Sequence, residues 1–118
     1  MMVTALVQID LPGGTTVAEA AELFKQSAAE FRGMPGLIRK YCLFSPDGTV
    51  KAVCLWEDRE AAERSFNENW HRQMAQRYGA DPTVDYFLTP VVVDNALGVI
   101  EGDAIKKSYG MIAGTAAE

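Results

Sequence analysis

The chain has 118 residues, 48% of them hydrophobic and 23% charged, and a formal net charge of −5. That length suits one domain, no apolar run is long enough to cross a bilayer, and the acidic balance repels nucleic-acid backbones because no basic run offsets it. The first residues carry no basic leader, and their apolar stretch is cut by Gln8 and Asp10, so a cytoplasmic protein with neither membrane nor nucleic-acid partners is expected.

Residues 3 to 10 alternate Val3, Ala5, Val7, Ile9 with Thr4, Leu6, Gln8, Asp10, the period of a strand, and Pro12-Gly13-Gly14 ends it. Thr16 with Glu19 three residues on forms a capping box, which opens a helix. Its apolar stripe is Val17, Ala20, Ala21, Phe24, Ala28 and Phe31, with Gly33 as terminator and Pro35 barring continuation. Leu37 to Phe44 and Val50 to Trp56 read as two strands of a hairpin whose turn, Ser45-Pro46-Asp47-Gly48-Thr49, supplies fixed and positive φ. Asp58 caps a second helix that is expected to run unbroken to Tyr78, presenting Ala62, Phe66, Trp70, Met74 and Tyr78 along one ridge before Gly79 closes it. Within residues 83 to 93, Val84, Tyr86 and Leu88 alternate with Asp85, Phe87 and Thr89, giving a last strand before the apolar Val91-Val92-Val93.

Strand, helix, two strands, helix, strand is the split-βαβ order. It predicts an α+β ferredoxin-like βαββαβ sandwich: an antiparallel four-stranded sheet with two helices on one face. Residues 1–94 make that domain. From Asn95 the glycines at 98, 102, 110 and 114 interrupt every apolar patch, so 95–118 read as a tail, either an arm that packs on a partner or a flexible end. Cys42 and Cys54 share a parity on neighbouring strands and are expected to be reduced core residues, with neither a disulfide nor a metal site. Both parities of Leu37 to Phe44 carry large apolar residues: Ile38, Cys42 and Phe44 on one side, Leu37, Tyr41 and Leu43 on the other. Two helices cover one face only, so the other calls for a second copy and a homodimer, or for the chain's own tail folded across it.

Phe31-Arg32-Gly33, the Met34-Pro35-Gly36-Leu37 turn, Leu55-Trp56-Glu57-Asp58 and an aromatic-bearing second helix resemble the dimeric α+β barrel proteins of the antibiotic-biosynthesis-monooxygenase type, over roughly residues 3 to 94. The resemblance implies a ferredoxin-like protomer, a homodimer with facing sheets and a mostly apolar cavity between sheet and helices. It also implies a range of activities: cofactor-independent oxygenases of polycyclic phenols, haem-degrading enzymes, isomerases and proteins with no known reaction.

The segment Phe66-Asn67-Glu68-Asn69-Trp70-His71 concentrates the candidate chemistry and holds the sole histidine. On one helix, Asn67 and His71 lie a turn apart beside an apolar face made by Phe66 and Trp70. An oxygenase without metal or flavin needs an aromatic stack, exclusion of water and a stabilised enolate or phenolate. Trp70 and Phe66 suit the stack, His71 the proton, and Asn67 or Asn69 the developing oxyanion. Members of the resembled family with this activity use Asn and Trp on the same helix, matched here by type and region. Met74, Tyr41, Tyr86 and Trp56 either line such a pocket or fill it as core. Of Arg39 and Lys40, one offers an inward cation for a carboxylate and the other points out.

The expected function is therefore a cofactor-independent monooxygenase acting on a small aromatic or enolisable compound, with no cofactor. Two alternatives stand beside it: a haem-binding or haem-degrading protein using His71 as axial ligand, and a non-catalytic homodimer that binds an apolar metabolite.

Overall fold

The computed structural model describes residues 1–11 and 13–101, the side chains of 99–101 excepted. Its elements are β1 (Val3–Asp10), α1 (Val17–Phe31), β2 (Leu37–Phe44), β3 (Thr49–Trp56), α2 (Arg59–Ser65), α3 (Glu68–Tyr78), β4 (Thr83–Leu88), β5 (Val91–Asp94) and β6 (Val99–Glu101). The first four strands form one antiparallel sheet in the order β2-β3-β1-β4. The helical link places β2 parallel to β1 but not beside it, and the tight hairpin then drops β3 into the gap; this is the split-βαβ arrangement the sequence predicts.

Local chemistry explains most boundaries. Thr16 and Glu19 close the capping box at the start of α1, and Gly33 follows its end at φ 72°. The β2–β3 turn is held by Gly48 N–H to Ser45 C=O at 2.9 Å and by Thr49 N–H to the Asp47 carboxylate at 2.9 Å. Gly36, at φ 84°, lies so close to the start of α2 that a Cβ there would collide with the Ala61 methyl. Hydrogen bonding from Glu57 N–H to Gly36 C=O at 2.8 Å fixes the same junction.

In four places the structure departs from the periodic reading. The second helix is broken. Phe66 leaves helical geometry (φ −91°, ψ 52°) and Asn67 restarts it, its Oδ1 accepting from Trp70 N–H at 2.9 Å while its Nδ2 donates to Arg64 C=O at 2.8 Å. Asparagine is among the best N-caps, contributing about 1 kcal/mol, and Glu68 in the first turn suits the helix dipole. The stretch 83–93 is likewise two strands, because Pro90 has no N–H to continue a ladder. After it, β5 and β6 pair with each other, so the segment read as an arm begins with strand β6; residues 102–118 of that arm lie outside the described residues. A bulge between Leu37 and Arg39 flips the parity of β2, so Leu37 packs on the helix side with the core. On α1 the inner stripe is Ala20, Leu23, Phe24, Ser27 and Phe31, with Val17 and Ala28 outside.

The core lies between sheet and helices, around Ala5, Val7, Phe31, Cys54, Trp56, Ala61, Ala62 and Phe66. The opposite face carries Thr4, Arg39, Tyr41, Val53 and Leu55, where Arg39 reaches the buried Asp94 of β5 at 3.1 Å. Strand β5 therefore sits along part of that face, while Tyr41, Leu43 and Phe87 remain exposed on it.

Candidate functional site

A cavity separates the sheet from α1 and α3. It is open at one side, and about 70 Å³ of it admits the centre of a water molecule. That is room for several waters. From the sheet come Val7, Ile9, Lys40, Cys42, Val50, Ala52 and Cys54; from α1, Leu23, Phe24, Ser27 and Phe31; from the broken helix, Phe66, Trp70, Met74 and Tyr78. Alternation along β1, β2 and β3 puts these sheet residues on one face, and the four-residue ridge of the helix puts Phe66, Trp70, Met74 and Tyr78 opposite.

One end of the cavity is an aromatic wall. Phe66 is 4.8 Å from Trp70, 6.3 Å from Phe31 and 5.6 Å from Trp56 between ring centroids, the last edge-on at 83°. Each such pair contributes about 0.5–1.5 kcal/mol beyond area burial, so the wall is rigid. The indole N–H groups of Trp56 and Trp70 are buried with no hydrogen-bond partner among the described residues. Of the two residues, Trp70 lines the cavity.

Two lysines line this largely apolar space: Lys51, which is exposed, and Lys40, which is half-buried. The Lys40 Nζ stands 3.4 Å from the centroid of Phe31 and 3.4 Å from Ser27 Oγ. Loss of hydration on burial pulls its proton affinity below that of an ordinary lysine, against a smaller opposing effect of Cys54, Cys42 and Glu30. A lysine shifted this way binds its proton less well folded than unfolded. It therefore costs stability at low and neutral pH, and that cost fades as the pH rises through its lowered titration range toward the ordinary lysine value. The contact with Phe31 offsets about 1–2 kcal/mol of the burial. Burial also pushes the Cys54 thiol up to about 11, so it stays protonated and inert at neutral pH; both cysteines are free.

The candidates from the sequence divide by position. Phe66, Trp70 and Met74 line the cavity together. His71 does not: its Nδ1 lies 2.7 Å from Asp81 Oδ1 beyond the end of α3, and its ring meets Trp70 edge-on at 4.9 Å. One residue past the ridge, it is turned about a quarter of the helix circumference from Trp70. Asn67 is spent as the cap of α3, and Asn69 is exposed on its first turn. Tyr41 points from the opposite sheet face, 51% exposed, with Arg39 donating to its hydroxyl at 2.8 Å. Trp56 is fully buried core, and Tyr86 packs against that core under the Arg59 guanidinium at 4.5 Å. Of the two cations weighed on β2, Lys40 is the inward one. Ser27, Phe24 and Cys42 were hidden in the sequence by their ordinary residue types. No histidine lines the cavity, so its residues do not fit a haem held there through His71.

No family model matches the chain, and no curated protein does. Solved structures do. The fold is the ferredoxin-like fold of the antibiotic-biosynthesis-monooxygenase-like proteins, as the resemblance in the sequence implies. The monooxygenase ActVA-Orf6 of Streptomyces coelicolor, solved with nanaomycin D, is 20% identical, with a TM-score of 0.56 over 74% of this chain and 86% of that one. SnoaB, a cofactor-independent oxygenase from Streptomyces nogalater, is 23% identical, with a TM-score of 0.57 over 80% of this chain and 98% of that one. A candidate antibiotic-biosynthesis monooxygenase from Caulobacter crescentus is 16% identical, with a TM-score of 0.55 over 73% and 87% of the two chains. At these identities the likeness establishes the fold, and chemistry must be argued from the site. Among the described residues no helix is long and apolar enough to cross a membrane.

Proposed function

We propose that the protein is a monooxygenase that takes a small aromatic or enolisable compound into the cavity between sheet and helices and oxidises it with dioxygen, without metal or flavin. The observation that carries this reading is the cavity itself, partly open, lined mostly by apolar side chains and walled by Phe31, Phe66 and Trp70. A flat ring stacks on such a wall, displaces the few waters and leaves its ionised oxygen in a medium where charge is strongly felt. The likeness to SnoaB, itself a cofactor-independent oxygenase, supports the same reading. An electron-rich phenolate or enolate gives one electron to dioxygen, and the radical pair recombines at a carbon that bears hydrogen, forming a hydroperoxide. Loss of that hydrogen as a proton and cleavage of the O–O bond release water and leave a carbonyl at that carbon, as in a quinone, so the substrate itself supplies all four electrons.

The protein works as a homodimer in this proposal. Exposed Tyr41, Leu43 and Phe87 on the face away from the helices, with Val93 beside it, form the apolar surface that a two-fold mate covers.

Oxygen consumption with a panel of phenols and enolisable aromatic ketones tests the reaction. At least one compound is expected to give uptake in step with product, abolished in Trp70→Ala and retained in His71→Ala. Tight binding without uptake across the panel would instead favour a carrier of apolar metabolites.

A further inference from the structure

Resting on that reading of the cavity, we propose that its ligand carries one acidic oxygen, bound as the phenolate or enolate, and that the Lys40 ammonium is the group that pairs with it. Lys40 reaches the cavity from the inner face of β2, at the level of Cys54 and opposite α1. Its neighbours are neutral: Ser27 Oγ at 3.4 Å and the face of Phe31 at 3.4 Å. Among the described residues no aspartate or glutamate lines the cavity, and no carboxylate lies within ion-pair distance of Nζ. The titratable groups that face it are the thiols of Cys42 and Cys54 and, more remotely, Glu30, while the exposed Lys51 and the Tyr78 phenol share the cavity lining. Glu30 is half exposed and turned to Arg77 at 3.7 Å.

A cation held in an apolar space without a counter-charge lacks the partner that buried cations normally have. An anionic oxygen supplies it, and the aromatic wall supplies the stack for the ring that bears that oxygen. The geometry thus selects for two features in one molecule. Ring and charge must both be present, and the pairing raises the ionised fraction of the bound ligand, the form that gives an electron to dioxygen. The proton goes to solvent if Lys40 is already charged, or to Nζ if it is neutral. Both routes end in the same ammonium–oxyanion pair.

The test uses 4-nitrophenol, whose ionised form is yellow, and 4-nitroanisole, its methylated neutral counterpart. Bound to the wild-type protein, 4-nitrophenol is expected to titrate at lower pH than in buffer and to bind about tenfold or more tighter than 4-nitroanisole, the gain of one charge-assisted hydrogen bond. Lys40→Met is expected to erase that preference and leave 4-nitroanisole binding as it was, while Lys40→Arg restores part of it. An unshifted or raised titration of the bound phenol in the wild-type protein would overturn the proposal without recourse to any variant. So would an undiminished preference in Lys40→Met, with 4-nitroanisole still bound; the cavity reading would then survive alone. If neither compound binds, the cavity reading itself fails and this proposal with it.

Discussion

Phe66→Ala is expected to lower the free energy of unfolding by about 3–5 kcal/mol, the largest loss from any single truncation near the cavity. Phe66 is 7% exposed and touches three other rings, those of Phe31, Trp56 and Trp70. It also sits at the break between α2 and α3, so its ring ties the two helical pieces to the sheet together with Ala61 and Ala62 of α2 and Met74 of α3. Truncation removes the transfer free energy of the ring and leaves a void that opens into the existing cavity, where rigid neighbours prevent collapse. Urea unfolding reads the effect as a fall in midpoint with an unchanged slope. A loss under about 1 kcal/mol would show that Trp70 and Phe31 close over the gap, and that the wall is softer than its geometry indicates.

Phe87→Glu is expected to raise the dissociation constant of the proposed homodimer by a hundredfold or more, on the order of 3 kcal/mol. Phe87 projects from β4 on the face away from the helices, 55% exposed in the single chain. In a two-fold assembly every change is made twice, so the lost burial of one phenylalanine, about 1.5 kcal/mol or more, counts double, and two carboxylates enter an apolar interface. Sedimentation equilibrium measures the change, and thermal unfolding of the dissociated chain reports whether the protomer stands alone. A wild-type protein that sediments as a monomer would remove the dimer from the account. The β5 strand would then be the only cover that face has among the described residues.

The architecture was readable because its signals are local. Alternation from Val3 to Asp10 and from Leu37 to Phe44 gave strands at the observed bounds, and the capping box at Thr16 and the glycines at 33 and 79 marked helix ends. What periodicity cannot register is a defect one or two residues long. The break at Phe66-Asn67 leaves the four-residue ridge intact on either side, so the pattern reads as one helix even though Asn67 is a strong cap in the middle of it. The bulge after Leu37 shifts faces without changing composition, which is why Leu37 was placed opposite to where it packs.

The site was legible to the same degree. The aromatic ridge was readable from spacing, and Phe66, Trp70 and Met74 do line the cavity. His71 and Asn67 were singled out because their residue types do chemistry elsewhere. Their placement depends on Asp81 and Arg64, contacts that no spacing rule encodes. Lys40 is the converse case. On a strand, its inward direction follows from parity, but parity alone does not say that the space it enters is an open cavity.

The central claim is that the space between sheet and helices holds the ligand. Intermolecular nuclear Overhauser effects between the ring protons of 1-naphthol and the methionine methyls test it most directly, because Met74 lines that space while Met1 is exposed. Cross-peaks to the Met74 methyl with none to Met1 are predicted. Cross-peaks confined to Met1 or to Tyr41 and Leu43 on the opposite face would contradict the account.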